Sequence, residues 1–213
     1  DRFPVAGGAA RGVRGALRGI PAVMSEQSWS GDVFDRLYAE HPDPWGFETS
    51  PYERDKYAAT LAALGNRHFG FILELGCSIG VMTAALAPRC DRLLGIDIAE
   101  AALARARERC APFPHVGFKQ ARLPDEFPDL AHECDLILVS ELLYFLSPAD
   151  IGRLAACVLR ALAPGGMVVL VNWTGETNTP CTGDQASELF IAACGLPVGY
   201  DTRSTSYRLD RLS

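Results

Sequence analysis

Asp97 stands 21 residues beyond Gly76, at the end of the apolar run Arg92-Leu-Leu-Gly-Ile-Asp97. At that spacing an acid at the tip of a second strand can hold the two hydroxyls of a ribose. Gly76 itself belongs to Glu74-Leu-Gly-Cys-Ser-Ile-Gly80. Glycines are needed in such a turn because the backbone must take positive φ or let a ligand come close. The run Phe71–Leu75 before the turn reads as a strand buried on both faces, and Val81–Leu86 after it as a helix. Strand, glycine turn, helix and acid-tipped strand make the opening of a nucleotide-binding βαβ unit.

The ribose acid is shared by NAD enzymes and enzymes of S-adenosylmethionine (SAM). The pyrophosphate fingerprint G-x-G-x-x-G is missing here, since Gly76 to Gly80 reads G-x-S-x-G. SAM has no pyrophosphate, and an acid just before the turn, Glu74, suits its ammonium group. Methyl transfer then needs a positioned acceptor and a group to take the acceptor's proton. Glu141 and Tyr144 follow the strand Asp135–Ser140 and fall at the sheet edge where ligands of open α/β sheets collect. They are the candidate catalytic pair; the alternative is that Glu141 takes a backbone hydrogen bond and Tyr144 packs on it. His41 is a second candidate near the acceptor. Arg54 either reaches the methionine carboxylate or pairs within its own helix. Thr182-Gly-Asp-Gln185 is either only a capping box for the last long helix or, by its position after Trp173, a segment that also brings Asp184, like Trp173, to the acceptor side.

Glu74 to Gly80 resembles motif I of the class I SAM-dependent methyltransferases, with Ser78 where a middle glycine is usual. Asp97, the strand Asp135–Ser140 and Leu162-Ala-Pro-Gly-Gly166 lie at the matching distances. Phe34-Asp-Arg-Leu-Tyr38, Asp43-Pro-Trp45, Tyr52-Glu-Arg54 and Ser140-Glu-Leu-Leu-Tyr144 extend the likeness to the nodulation protein S family of bacterial N-methyltransferases. The resemblance implies SAM as cofactor, bound by Trp45, Arg54, Glu74, Gly76, Cys77, Gly80, Asp97, Ile98, Arg122, Leu123 and Ser140. Adenine would meet the turn Ala121–Pro124, where Leu123 offers an apolar side. The family methylates the amine of a glucosamine residue on a chito-oligosaccharide. The loop from Asn172 to Asp184 departs from the rhizobial pattern, which leaves another amino sugar, or O-methylation of a small metabolite, as alternatives. An NAD-binding oxidoreductase and a non-catalytic SAM-binding scaffold are the rivals from other classes.

Composition agrees with an enzyme of small molecules. A net charge of −6 and a pI near 5.2 disfavour a nucleic-acid backbone as partner, and no apolar run is long enough for a membrane span. Seven cysteines without a C-x-x-C or metal-type cluster read as reduced thiols in a cytoplasmic protein, with no metal. No obligate protein partner is evident, so the expected partner is a small-molecule or oligosaccharide acceptor. Cys77 is expected mainly as a small filler of the cofactor loop.

These residues must be carried by one α/β domain, expected as a Rossmann-like, seven-stranded class I methyltransferase fold. Its sheet should be mostly parallel with an antiparallel C-terminal strand. Residues 1–23, rich in Gly, Ala and Arg, are expected as a disordered leader or upstream extension, with Met24 as a natural start. Residues 24–66 form an N-terminal helical flap broken by Pro42, Pro44 and Pro51, and 67–213 the SAM-binding core. The flap is either a lid over the site or a helical pair covering the sheet edge.

Overall fold

The computed structural model describes residues 27–213; the expected leader lies outside them. Among the described residues two helices, α1 (Gly31–Glu40) and α2 (Pro51–Ala63), precede the strand β1 (Phe69–Leu75). There follow α3 (Val81–Leu86), β2 (Cys90–Asp97), α4 (Glu100–Cys110), β3 (Val116–Gln120) and β4 (Cys134–Ser140). The chain ends with α5 (Pro148–Ala161), β5 (Leu162–Trp173), α6 (Gly183–Cys194), β6 (Val198–Arg203) and β7 (Tyr207–Leu212).

The seven strands form one sheet in the order β3-β2-β1-β4-β5-β7-β6. The first five are parallel, and β7 runs antiparallel between β5 and β6. This is the expected Rossmann-like class I arrangement. From β1 the chain winds outward to β2 and β3, then returns to place β4 on the other side of β1. Connections leave β1 and β4 in opposite directions, which opens a crevice at their carboxyl ends.

Side-chain alternation along the central strands explains the layers. Leu73 and Leu75 of β1 and Ile137 and Val139 of β4 pack with Leu154 of α5 and Phe190 of α6. Ile72, Leu136 and Leu138 point the other way, onto Leu64, Met82 and Leu86. Each such side chain contributes about 1.5–3 kcal/mol on burial, enough for the rim to carry polar and strained residues. β5 starts earlier than the run Met167–Asn172 suggests, because Leu162 already pairs with Cys134. The ladder shifts register there, and a Cβ on Gly166 would sit 2.9 Å from the Cys134 carbonyl, so the glycines allow the bulge.

Helix α1 lies against the start of α4: Tyr38 packs with Ile79, Ala99 and Ala102. In α2 the inward face is polar. Glu53, Lys56 and Thr60 are buried, three and four residues apart, and Arg54 is exposed. Ser50 precedes Pro51 at the N-terminus, but its side chain makes no capping bond.

Candidate functional site

The turn after β1 is built from three left-handed residues: Gly76 (φ 81°), Ser78 (φ 47°) and Gly80 (φ 77°). A side chain at Gly76 would meet the Ser140 carbonyl at 2.9 Å, so β4 and the turn can approach only because the residue is glycine. Asp97 props this turn. Its Oδ2 accepts the Ser78 N–H at 2.8 Å and its Oδ1 the Ala99 N–H at 3.0 Å. The Ile98 N–H also lies against this carboxylate, which leaves about one of its four acceptor sites. Burial raises the Asp97 pKa above the usual carboxylate value. The Ser78 hydroxyl bonds the phenol of Tyr38, which ties α1 to the turn.

A cleft of about 1020 Å³, its open mouth included, lies over the β1/β4 crevice. All three tryptophans of the chain, Trp29, Trp45 and Trp173, line it. Asp97 and Ile98 form one wall with Arg122 and Leu123 near them in the lining; Glu141 and Tyr144 form another. The aromatic lining falls in two groups: Phe34 lies 5.1 Å from Phe145 and 6.5 Å from Trp45, and separately Tyr52 lies 5.3 Å from Trp173, between ring centroids.

Glu141 is the most constrained of these residues. It is non-glycine at φ 54°, with its N–H bonded to the Val171 carbonyl at 2.8 Å. Left-handed backbone of this kind costs about 1–2 kcal/mol and collects at functional sites. Oε1 accepts from Lys56 Nζ at 2.9 Å; Oε2 accepts from the Tyr144 hydroxyl at 2.5 Å and the Trp173 N–H at 3.2 Å. A carboxylate offers about four acceptor sites, so about one is left. Lys56 also lies 2.8 Å from Glu53 Oε2, a charge contact without an aligned hydrogen bond at that oxygen. The rings of Tyr52, Tyr57 and Phe47 surround Nζ at 5.3, 5.6 and 5.9 Å. Burial alone pulls the ammonium's pKa down, but Glu141 and Glu53 outweigh it and hold it above the usual lysine value. Tyr144 is pushed far up, by burial first and then by Glu141, and stays a phenol.

Three expected residues sit behind the cleft in a smaller adjoining pocket shared with Lys56: Glu74, Cys77 and Ser140. Glu74 accepts from the Thr83 hydroxyl at 2.6 Å, and burial raises its pKa to about 8. Cys77 is buried as a filler, its Sγ 3.0 Å from where a Cβ on Gly95 would be. Four expected residues do not line the cleft or the pocket behind it. Arg54 is exposed and lines neither pocket, since it falls on the outer face of α2; the inward cation of that helix is Lys56. Gly80 lines neither pocket either: a Cβ there would be 2.9 Å from that of Ala106, so it serves the packing of α3 on α4. His41 is exposed where α1 ends. Asp184 pairs with Arg203 Nη2 at 2.8 Å, and that contact, aided by Arg208, holds its pKa below the usual value. The capping box at Thr182 and Gln185 is present as read.

Lys56 and Trp29 carry no sequence signal of their own, and Glu53 and Tyr38 stand out only as members of the motifs Tyr52-Glu-Arg54 and Phe34-Asp-Arg-Leu-Tyr38. The available signal was Glu53 and Lys56 three apart on one face of a helix whose opposite face is also polar.

A family model for nodulation protein S (NodS) matches residues 31–170. Nodulation protein S of Rhizobium tropici is 35% identical over 131 residues, which cover 60% of this chain and 53% of that protein. This chain spans about half the length of the curated relatives it matches. Among solved structures, a candidate methyltransferase from Pseudomonas syringae is 36% identical with a TM-score of 0.67, covering 76% of this chain and 98% of that one. The N-methyltransferase NodS from Bradyrhizobium japonicum WM9, in complex with S-adenosyl-L-homocysteine, is 25% identical with a TM-score of 0.68, covering 80% and 91%.

Proposed function

This chain belongs to the nodulation protein S family, and we propose that it transfers a methyl group from SAM to the amine of a small polar acceptor, an amino sugar by preference. One observation carries the reading: a single aromatic cleft joins Asp97, at the tip of β2, to the clamped carboxylate of Glu141 at the end of β4. The residues fit the cofactor. Asp97 keeps an acceptor site for a ribose hydroxyl, Gly76 leaves the turn bare of side chain, and Ile98 and Leu123 supply apolar walls. When bound, SAM supplies an electrophilic methyl group on a sulfonium.

The chain's own residues orient the acceptor and manage its proton. Three acids line the cleft, Glu53, Asp97 and Glu141; Lys56 behind them offsets one of these charges, and the one basic residue of the lining, Arg122, turns its guanidinium to solvent near Asp125, so an excess of negative charge remains. A carboxylate acceptor would meet like charge there, whereas an ammonium is attracted. Glu141 would accept the ammonium's proton on its remaining lone pair and leave the neutral amine facing the methyl group. Water is kept from that place by Trp29, Trp45 and Trp173.

Calorimetric titration with S-adenosylhomocysteine, NAD and ATP tests the cofactor, and tight binding of NAD alone would overturn the reading. Transfer of labelled methyl from SAM to glucosamine oligomers with a free amine, set against carboxylate and hydroxyl acceptors, tests the acceptor. Transfer to a carboxylate or hydroxyl in preference to every amine would remove the N-methylation part and leave the cofactor part standing.

A further inference from the structure

We infer that Lys56 is a positioning residue, which holds the Glu141 carboxylate so that its free lone pair faces an amine at the methyl-transfer point. The inference rests on the proposed function above. Lys56 is one of two lysines in the chain, the other being Lys119, among twenty basic residues. It is 1% exposed and lies between two carboxylates, Glu141 at 2.9 Å and Glu53 at 2.8 Å. Burying an ion cluster at a helix–sheet contact gives little net stability where apolar residues would pack as well. What the lysine does supply is a fixed direction. Glu141 receives one donor from α2, one from Tyr144 in the turn after β4 and one from the Trp173 backbone on β5. Three donors from three elements leave the carboxylate no freedom to turn. A lysine suits this better than an arginine because its compact ammonium meets both acids inside the ring box of Phe47, Tyr52 and Tyr57.

The test uses two cofactor analogues and needs no knowledge of the acceptor. S-adenosylhomocysteine lacks the methyl group; sinefungin carries a primary amine in that region. The readout is the ratio of their dissociation constants, measured by calorimetry. The wild-type protein is expected to prefer sinefungin, and Glu141→Gln to lose at least about fivefold of the preference, as befits a charged hydrogen bond. Lys56→Met should lose a similar factor while affinity for S-adenosylhomocysteine stays within about threefold. In a Glu141→Gln background, Lys56→Met should change the ratio by less than about twofold, because the two act through one contact. Since Lys56→Met leaves the buried Glu53 and the half-buried Glu141 without their cation, Lys56→Met/Glu53→Gln is measured as well; it removes the Lys56–Glu53 pair together and should lose the same preference. The proposal is overturned if the wild type shows no preference, if the preference survives loss of Lys56, or if the two effects multiply. An equal loss for both analogues in Lys56→Met overturns it too, by giving Lys56 to general cofactor binding. Binding of neither analogue by the wild type refutes the cofactor reading and this proposal with it.

Discussion

Thr83 donates its hydroxyl to Glu74 Oε2 at 2.6 Å, joining the first turns of α3 to β1 behind the glycine loop. Glu74 is 1% exposed, and burial raises its pKa from 4.5 to about 8. Between those two values the folded protein holds a proton that the unfolded chain has released. Stability from this group is therefore full below about pH 4.5 and falls as pH rises toward 8, by up to about 1.4 kcal/mol per unit. Glu74→Gln should remove that dependence. Its melting temperature relative to wild type should rise steadily from pH 5.5 to 8, and a constant difference would show that Glu74 is charged when folded.

Asp97→Asn should weaken binding of S-adenosylhomocysteine by about tenfold or more, from loss of a charged acceptor worth about 1.5–3 kcal/mol. Asn is the sharper change than Ala because Asp97 also fastens the N–H groups of Ser78 and Ala99. One acceptor remains to hold the turn. Calorimetry and a melting curve separate the effects: unchanged affinity would mean Asp97 serves the turn alone.

Gly80→Ala should lower stability by roughly 1–3 kcal/mol, through overpacking against Ala106 and strain at φ 77°. Arg54→Ala, on the exposed face of α2, should change neither stability nor affinity for S-adenosylhomocysteine. A chemical denaturation series and a titration check both. A marked loss of affinity in Arg54→Ala would return that residue to the cofactor site.

The N-terminal segment should divide in two under amide exchange. Lys56 binds α2 to Glu141, so exchange from 51 to 57 should be slow with or without S-adenosylhomocysteine. The loop from 41 to 49 is held on its rim by Arg105 and Arg109 on Glu48, pairs of surface type that contribute little. Its exchange should slow when the ligand binds, and Trp45→Ala should cost more turnover than thermal stability. Slow exchange throughout without ligand would make the whole segment a cover.

The order of elements, the glycine turn and Asp97 were legible because each rests on local rules. Apolar runs make buried strands, positive φ selects glycine, and an acid ends the second strand whatever lies around it. Glu141 and Tyr144 were legible for the same reason, being tied to the carboxyl end of a readable strand. The residues around them were not. Arg54 and Lys56 sit two positions apart on one helix with polar residues on both faces, and only the docking that brings Lys56 to Glu141 decides which enters the site. His41 and Asp184 looked placed by their neighbours in the chain, but one ends a helix in solvent and the other is claimed by Arg203 from β6. Gly80 reads as part of a ligand loop, and its packing against Ala106 is visible only in the tertiary structure. Local backbone preference is written within a few residues. The partner that holds Glu141 comes from 85 positions away, and only tertiary packing brings it there.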